Sequence, residues 1–199
     1  MSPEAEIELR SSLCDSYRAL HENDVDVLVV GGLAISYHLE GETKVDHDID
    51  LFISEDDVER GMRLLEEASF DVSDTHPTWL FKGRRNGTTV DVLYRLGRSF
   101  KLDDEMLARA EEVPVDGVRM RFVSREDLAA GQAGAAKPEV PSHWFQAIEL
   151  LKSDDVDWEY LSRRMSVKPH LRAALLHYAC HQKIVVPQWV LNESVRGIS

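Results

Sequence analysis

VLVVGGLAISYHLEGETKVDHDIDLFIS, residues 27–54, decides how the rest of the chain is read. Val27 to Val30 is a short apolar run, the pattern of a buried strand. Gly31-Gly32 follow at once, where a chain turning sharply from strand into helix needs residues without a Cβ. Leu33 to Leu39 carries a helical apolar pattern that Gly41 ends. Then comes Asp46-His47-Asp48-Ile49-Asp50-Leu51-Phe52-Ile53. In a strand alternate residues share a face, so Asp46, Asp48 and Asp50 point one way while Ile49, Leu51 and Ile53 point the other. Successive carboxylates on that face stand roughly 6.5–7 Å apart along the backbone. Side chains converging from that spacing can chelate one cation or bracket two that lie about 3.5–4 Å apart. The pattern predicts a metal site. It also suits the wet face of an edge strand, where charge blocks aggregation, so the elements around it have to decide.

With 199 residues the chain fits one domain, or a core with a smaller appendage. No run approaches the ~18–20 apolar residues of a membrane span, and the charged N-terminus has no apolar signal core. Cys14 and Cys180 show no metal-ligand spacing, which together with the missing signal predicts a reduced, cytoplasmic setting without disulfides. A net charge of -13 argues against a general nucleic-acid coat protein. The charge is uneven: residues 1–159 hold 17 Lys+Arg against 35 Asp+Glu, while residues 160–199 hold six basic residues against Glu193 alone. Such a basic tail suits a phosphate- or RNA-facing module, and equally a basic helix docked on an acidic core.

Residues 3–22 read as a helix, with Ile7, Leu9, Leu13, Tyr17 and Leu20 near a 3.6-residue period. Val27 to Val30 and Asp48 to Ile53 read as strands. Ser54 with Asp57 resembles a capping box for a third helix, whose buried face would be Met62, Leu64, Leu65 and Ala68. Asn86-Gly87 marks a tight hairpin between Trp79–Lys82 and Thr88–Leu93, and Asp116-Gly117 marks a second between Glu112–Val115 and Val118–Val123. Asp91 is a lone acid in an aliphatic strand, and a buried carboxylate without a partner is costly, so a partner is expected. From Ser124 onward the pattern is helical, roughly 125–135, 142–152, 156–165, 169–182 and 187–195, with Pro138, Pro141, Pro169 and Pro187 as punctuation. The expected fold class is α+β: a small mixed β-sheet core with flanking helices, residues 1–124, then a helical bundle, residues 125–199.

Gly31-Gly32 after a strand, then a helix, then Asp48-Ile49-Asp50-Leu51, then Asp91 in a later strand, resembles the nucleotidyltransferase superfamily related to DNA polymerase beta. The nearest likeness is to bacterial abortive-infection toxins of that superfamily, with Gly31-Gly32-Leu33-Ala34-Ile35, the basic Lys44, and Asp48 to Leu51. The segment Met120 to Leu128 is similar to the step into their helical half, and the likeness covers about residues 25–155. The resemblance implies catalytic and metal-holding roles for Asp48, Asp50 and Asp91, with Mg²⁺ as cofactor in two ions. It implies nucleotide binding by Gly31, Gly32, Lys44 and, as a stand-in for the family's phosphate-binding lysine, Lys137. NTP would be the substrate and the end of a tRNA the acceptor, with an antitoxin protein as partner. Two departures stand out: Asp46 replaces a small hydroxyl residue, and Ala136-Lys137-Pro138-Glu139 matches the family's Lys-Asp segment loosely.

The chemistry suits the residues, since Mg²⁺ prefers oxygen ligands, keeps several waters and needs few carboxylates. Within the same enzyme class the acceptor could be an aminoglycoside-type small molecule or a protein hydroxyl, and the acidic bulk favours a small cation. Phosphotransfer is a third chemistry for the same metals. From another class, a scaffold without catalysis would serve binding or regulation. His170, His177 and His181 share a basic helix and read as surface histidines rather than metal ligands. Arg84-Arg85 read as solvated charge or as phosphate contacts. Trp144, Trp158 and Trp189 read as packing anchors.

Overall fold

The structure is a computed structural model describing residues 2–43, 48–76 and 78–196. The chain divides into two compact units, Met1–Ser124 and Arg125–Ser199. Among the described residues no helix is long and apolar enough to cross a membrane.

The first unit is built on β1 (Val27–Val29), β2 (Ile49–Ile53), β3 (Asp71–His76), β4 (Leu80–Arg85), β5 (Thr88–Leu93), β6 (Glu111–Val115) and β7 (Val118–Phe122). They form one mixed sheet in the order β3-β4-β5-β2-β1-β7-β6. β1 and β2 lie at its centre because Val27, Leu28, Leu51, Phe52 and Ile53 are buried completely. β2 runs parallel to β5 and antiparallel to β1, while β1 runs parallel to β7. The helices of this unit are α1 (Pro3–His21), α2 (Gly31–Glu40), α3 (Val58–Glu67) and α4 (Asp104–Arg109). Ser2 caps α1, its hydroxyl accepting from the Ala5 N–H, and Leu13, Tyr17 and Leu20 supply the buried stripe. α3 approaches the sheet through Gly61. A Cβ there would stand 3.1 Å from Ile53, 3.4 Å from Phe81 and 3.5 Å from Leu20, so only glycine lets the three meet without shifting. The other sheet face carries Asp50, Lys82, Thr89 and Asp91, all partly open to solvent.

The hairpins fall where the turn chemistry puts them. Asn86 and Gly87 both have positive φ (49° and 83°), as do Asp116 and Gly117 (47° and 79°), the conformation a two-residue hairpin turn needs. Elsewhere the structure departs from the expectation. β3 and α4 lie in segments too polar to show strand or helix periodicity. β2 starts at Ile49, with Asp48 just outside it. Ser54 caps a 3₁₀ turn over Glu55–Asp57 and accepts from the Asp56 N–H, so no capping box with Asp57 forms. The buried face of α3 centres on Gly61 and Leu65, with Met62 and Leu64 only half covered.

The second unit is helical in the described residues: α5 (Arg125–Ala135), α6 (Ser142–Leu150), α7 (Trp158–Arg164), α8 (Pro169–His181) and α9 (Gln188–Ser194), with a 3₁₀ turn at Met165–Val167. Its core gathers Leu128, Ala129, Ile148, Leu150, Tyr160, Leu161, Leu175, Leu176 and Val190. Asp127 is fully buried there. It accepts from the Tyr160 hydroxyl at 2.7 and 2.8 Å and pairs with Arg164 at 2.9 Å. Trp144 packs against Tyr178, but Trp189 is 49% exposed and anchors little. His170, His177 and His181 are exposed.

Candidate active site

Register builds the site. The parallel pairing of β2 with β5 sets Asp50 opposite Asp91, and the antiparallel pairing of β4 with β5 sets Lys82 opposite Asp91. On the far side of Lys82, β3 brings Ser73 into the same row. Cross-strand partners share a face, so Ser73, Lys82, Asp91 and Asp50 form one polar line across four strands. β1 ends beside it: the Val30 N–H donates to the Asp50 carbonyl at 3.0 Å, and the chain turns into α2 at Gly31.

Gly31 is required twice over. Its φ is +62°, and a Cβ there would lie 1.9 Å from Asp50 Oδ2. The Gly32 backbone N–H donates to the Asp50 carboxylate, which favours its charged form. Burial works the other way and more strongly, and the charges of Asp91 and Asp48 add to it, so the Asp50 carboxyl is pushed up to about 7. Asp91 has the partner its strand context called for. The Lys82 ammonium donates to both of its oxygens at 2.6 Å.

Asp48 is exposed at the start of β2. Lys44, with Asp46 and His47, lies outside the described residues. Lys137 is exposed in the second unit, between α5 and α6, in a bridge with Val140. Among the described residues, no three His, Cys, Asp or Glu side chains close around one point as a ready metal cage. The donor chemistry nevertheless fits a hard divalent cation. Asp48, Asp50 and Asp91 offer oxygen only, and an added positive charge would oppose both the burial and, second to it, the acid–acid repulsion that raise Asp50.

Arg85 does not serve as a free phosphate contact: it pairs with Asp15 at 2.8 Å and lies over the Phe70 ring. Arg84 stays exposed. Lys82 and Ser73 were absent from the expectation. Lys82 was countable, because a two-residue turn at Asn86-Gly87 forces Arg85 opposite Thr88 and hence Lys82 opposite Asp91. Ser73 was not, since β3 carried no signal.

The family described as "Nucleotidyl transferase of unknown function (DUF2204)" matches residues 9–177. The chain belongs to that family. It is thus a nucleotidyl transferase, as its Gly-Gly turn and alternating acids suggest. Its fold is similar to the solution structure of the antibiotic-resistance factor ANT(2'')-Ia, with a TM-score of 0.58 at 16% identity over 88% of this chain and 99% of that one. The crystal structure of ANT(2'')-Ia in complex with adenylyl-2''-tobramycin gives 0.57 at 18% identity over 85% and 97%. Comparison with curated protein sequences finds no match. At these identities the likeness shows the fold, a mixed sheet with helices, which agrees with the expected class.

Proposed function

We propose that the chain moves a nucleoside monophosphate from an NTP to a hydroxyl of a small, positively charged acceptor, using the Asp48–Asp50–Asp91 face. The observation that carries this reading is the pairing of Asp50 with Asp91 beside the Gly31-Gly32 turn. Two carboxylates held together there, one raised toward neutrality by burial first and by the other's charge second, are costly to fold and useful for holding cations. Mg²⁺ held by Asp48, Asp50 and Asp91 would neutralise charge developing on the α-phosphate and on the departing pyrophosphate.

Each residue has a part. The start of α2, behind Gly31-Gly32, presents backbone N–H groups to triphosphate oxygens. Asp91 accepts the acceptor's hydroxyl proton or orients that hydroxyl in line with the α-phosphorus. The acceptor oxygen then bonds to phosphorus as the bond to pyrophosphate breaks. Lys44 is the proposed further phosphate contact.

Charge supports a small cationic acceptor. Residues 1–124 hold 27 Asp+Glu against 14 Lys+Arg, whereas residues 125–199 hold nine of each. The whole excess of negative charge thus lies on the unit with the acidic face, where it attracts amines and repels the phosphodiester backbone of an RNA acceptor. An acceptor of the tobramycin kind, named for ANT(2'')-Ia, has that chemistry. The tRNA-directed toxin with its antitoxin draws support from the basic 160–199 segment alone, and Asp154, Asp155, Asp157 and Glu159 offset that segment within its own unit.

The test is transfer of label from each α-³²P-NTP with Mg²⁺ to a panel of aminoglycosides, total tRNA or no acceptor. Label on an aminoglycoside is the expected result. Label on tRNA would replace the acceptor and restore the toxin reading. Label on the protein itself would point to protein nucleotidylation. No transfer, with no Mg²⁺-dependent NTP binding, would leave a non-catalytic scaffold.

A further inference from the structure

The Lys82 ammonium holds both oxygens of Asp91 at 2.6 Å, and the two side chains are only 23% and 18% exposed. Those oxygens are the ones the proposed function assigns to a divalent ion and to the acceptor's proton. A carboxylate with one ammonium on both oxygens keeps half of its lone-pair sites, but the ammonium's positive charge opposes a divalent ion at the same oxygens. A divalent ion on Asp91 therefore competes with Lys82.

We propose that Lys82 is a positioning residue, an internal cation that neutralises Asp91 and moves onto Ser73 when a divalent ion binds Asp91. The row across the sheet supplies both stations. Lys82 lies between Asp91 on β5 and Ser73 on β3, in register with each. The Ser73 hydroxyl is buried and has no hydrogen-bond partner among the described residues, so it offers an acceptor for the displaced ammonium. Adjacent cross-strand Cβ atoms lie about 4.5–5.5 Å apart, and a four-carbon stem spans that interval to either side.

Charge drives the exchange. The charges of Asp91 and Asp48 oppose ionisation of Asp50, and the positive charge of Lys82 favours it. A divalent ion supplies the same service with twice the charge, and Lys82 then becomes the like charge expelled from the face. Lysine suits this better than arginine, since its ammonium is a compact point charge that gives up one partner for another without a bidentate fork to break. The inference rests on the proposed divalent site and adds a competitor for it.

The experiment measures Mn²⁺ affinity by electron paramagnetic resonance at pH 8, with no nucleotide, in the wild type, Lys82→Met, Lys82→Arg and Ser73→Ala. Removing the competing ammonium should tighten Mn²⁺ by about tenfold in Lys82→Met, the scale of one charge-pair contact. Lys82→Arg, which grips Asp91 through a fork, should weaken it. Ser73→Ala should weaken it a few-fold, because the displaced ammonium loses its second station. Mn²⁺ affinity in Lys82→Met equal to or below that of a wild type that binds the ion would overturn the proposal. So would unchanged Mn²⁺ affinity with lost NTP affinity, which would make Lys82 a phosphate ligand. If Lys82→Met does not fold, Lys82→Arg and Ser73→Ala decide. A wild type that binds no Mn²⁺ would overturn the divalent site itself, and this inference with it.

Discussion

Two acids in this chain, one enclosed and one at the sheet face, are treated in opposite ways. Asp127, in the helical unit, is fully enclosed and compensated: Arg164 pairs with it at 2.9 Å and the Tyr160 hydroxyl donates to both of its oxygens. Tyr160 stays protonated and able to donate, its own ionisation pushed up by burial first and by the Asp127 charge second. Asp50, in the sheet unit, is left in debt. Burial, then the charges of Asp91 and Asp48, outweigh the Gly32 N–H and the Lys82 charge and raise its carboxyl to about 7. A buried acid whose charge is balanced holds structure together, while one set against other acids marks a place where charge has to come from outside.

The largest expected effect tests the balanced half of that contrast. Asp127→Ala would leave Arg164, only 10% exposed, as a buried charge without its carboxylate. We expect a loss of about 3–5 kcal/mol in urea denaturation. A loss below about 1 kcal/mol would mean the pair holds little.

Gly31→Ala tests the other half at its tightest point. The new methyl would demand the space of Asp50 Oδ2 while the backbone sits at φ +62°. Strain of about 1–3 kcal/mol is expected, with transfer reduced far more than stability because Asp50 must move. Wild-type activity would show that the close approach does not matter.

The smallest expected effect is the most specific. An acid whose folded pKa is raised contributes full stability below its unfolded value, near 3.8, and loses that contribution as pH rises toward 7. In metal-free protein, Asp50→Asn should therefore match the wild type near pH 4 and exceed it by on the order of 2 kcal/mol at pH 8. Thermal denaturation in EDTA at the two pH values measures this. A variant less stable than the wild type at pH 8 would mean that Asp50 is compensated after all.

Much of this contrast was legible in the sequence, for reasons particular to each residue. The alternation around Asp50, the Gly-Gly turn and the Asn86-Gly87 hairpin are local signals, with periods and turn types that only a few conformations satisfy. Asp91 announced itself as an acid among Val90, Val92 and Leu93. What stayed hidden depends on register. Lys82 becomes the partner of Asp91 only when residues are counted back from the turn, and Ser73 joins the row only because a polar strand pairs at the sheet edge. Asp127 gave no sign of its role, since nothing local shows that Tyr160 and Arg164, more than thirty residues later, fold over it. Trp189 misled because an aromatic residue at helical spacing carries no sign of which side it faces.

The most direct test of the central claim compares label transfer from α-³²P-NTP, with Mg²⁺ and the acceptor found in the panel, for the wild type, Asp50→Asn and Asp91→Asn. Each would be used at equal folded concentration, checked by thermal denaturation. Loss of transfer by about 10³-fold or more in both variants, with both still folded, is the predicted result, equivalent to about 4 kcal/mol at the barrier. Either variant transferring label at the wild-type rate would contradict it and remove the acidic row from the chemistry.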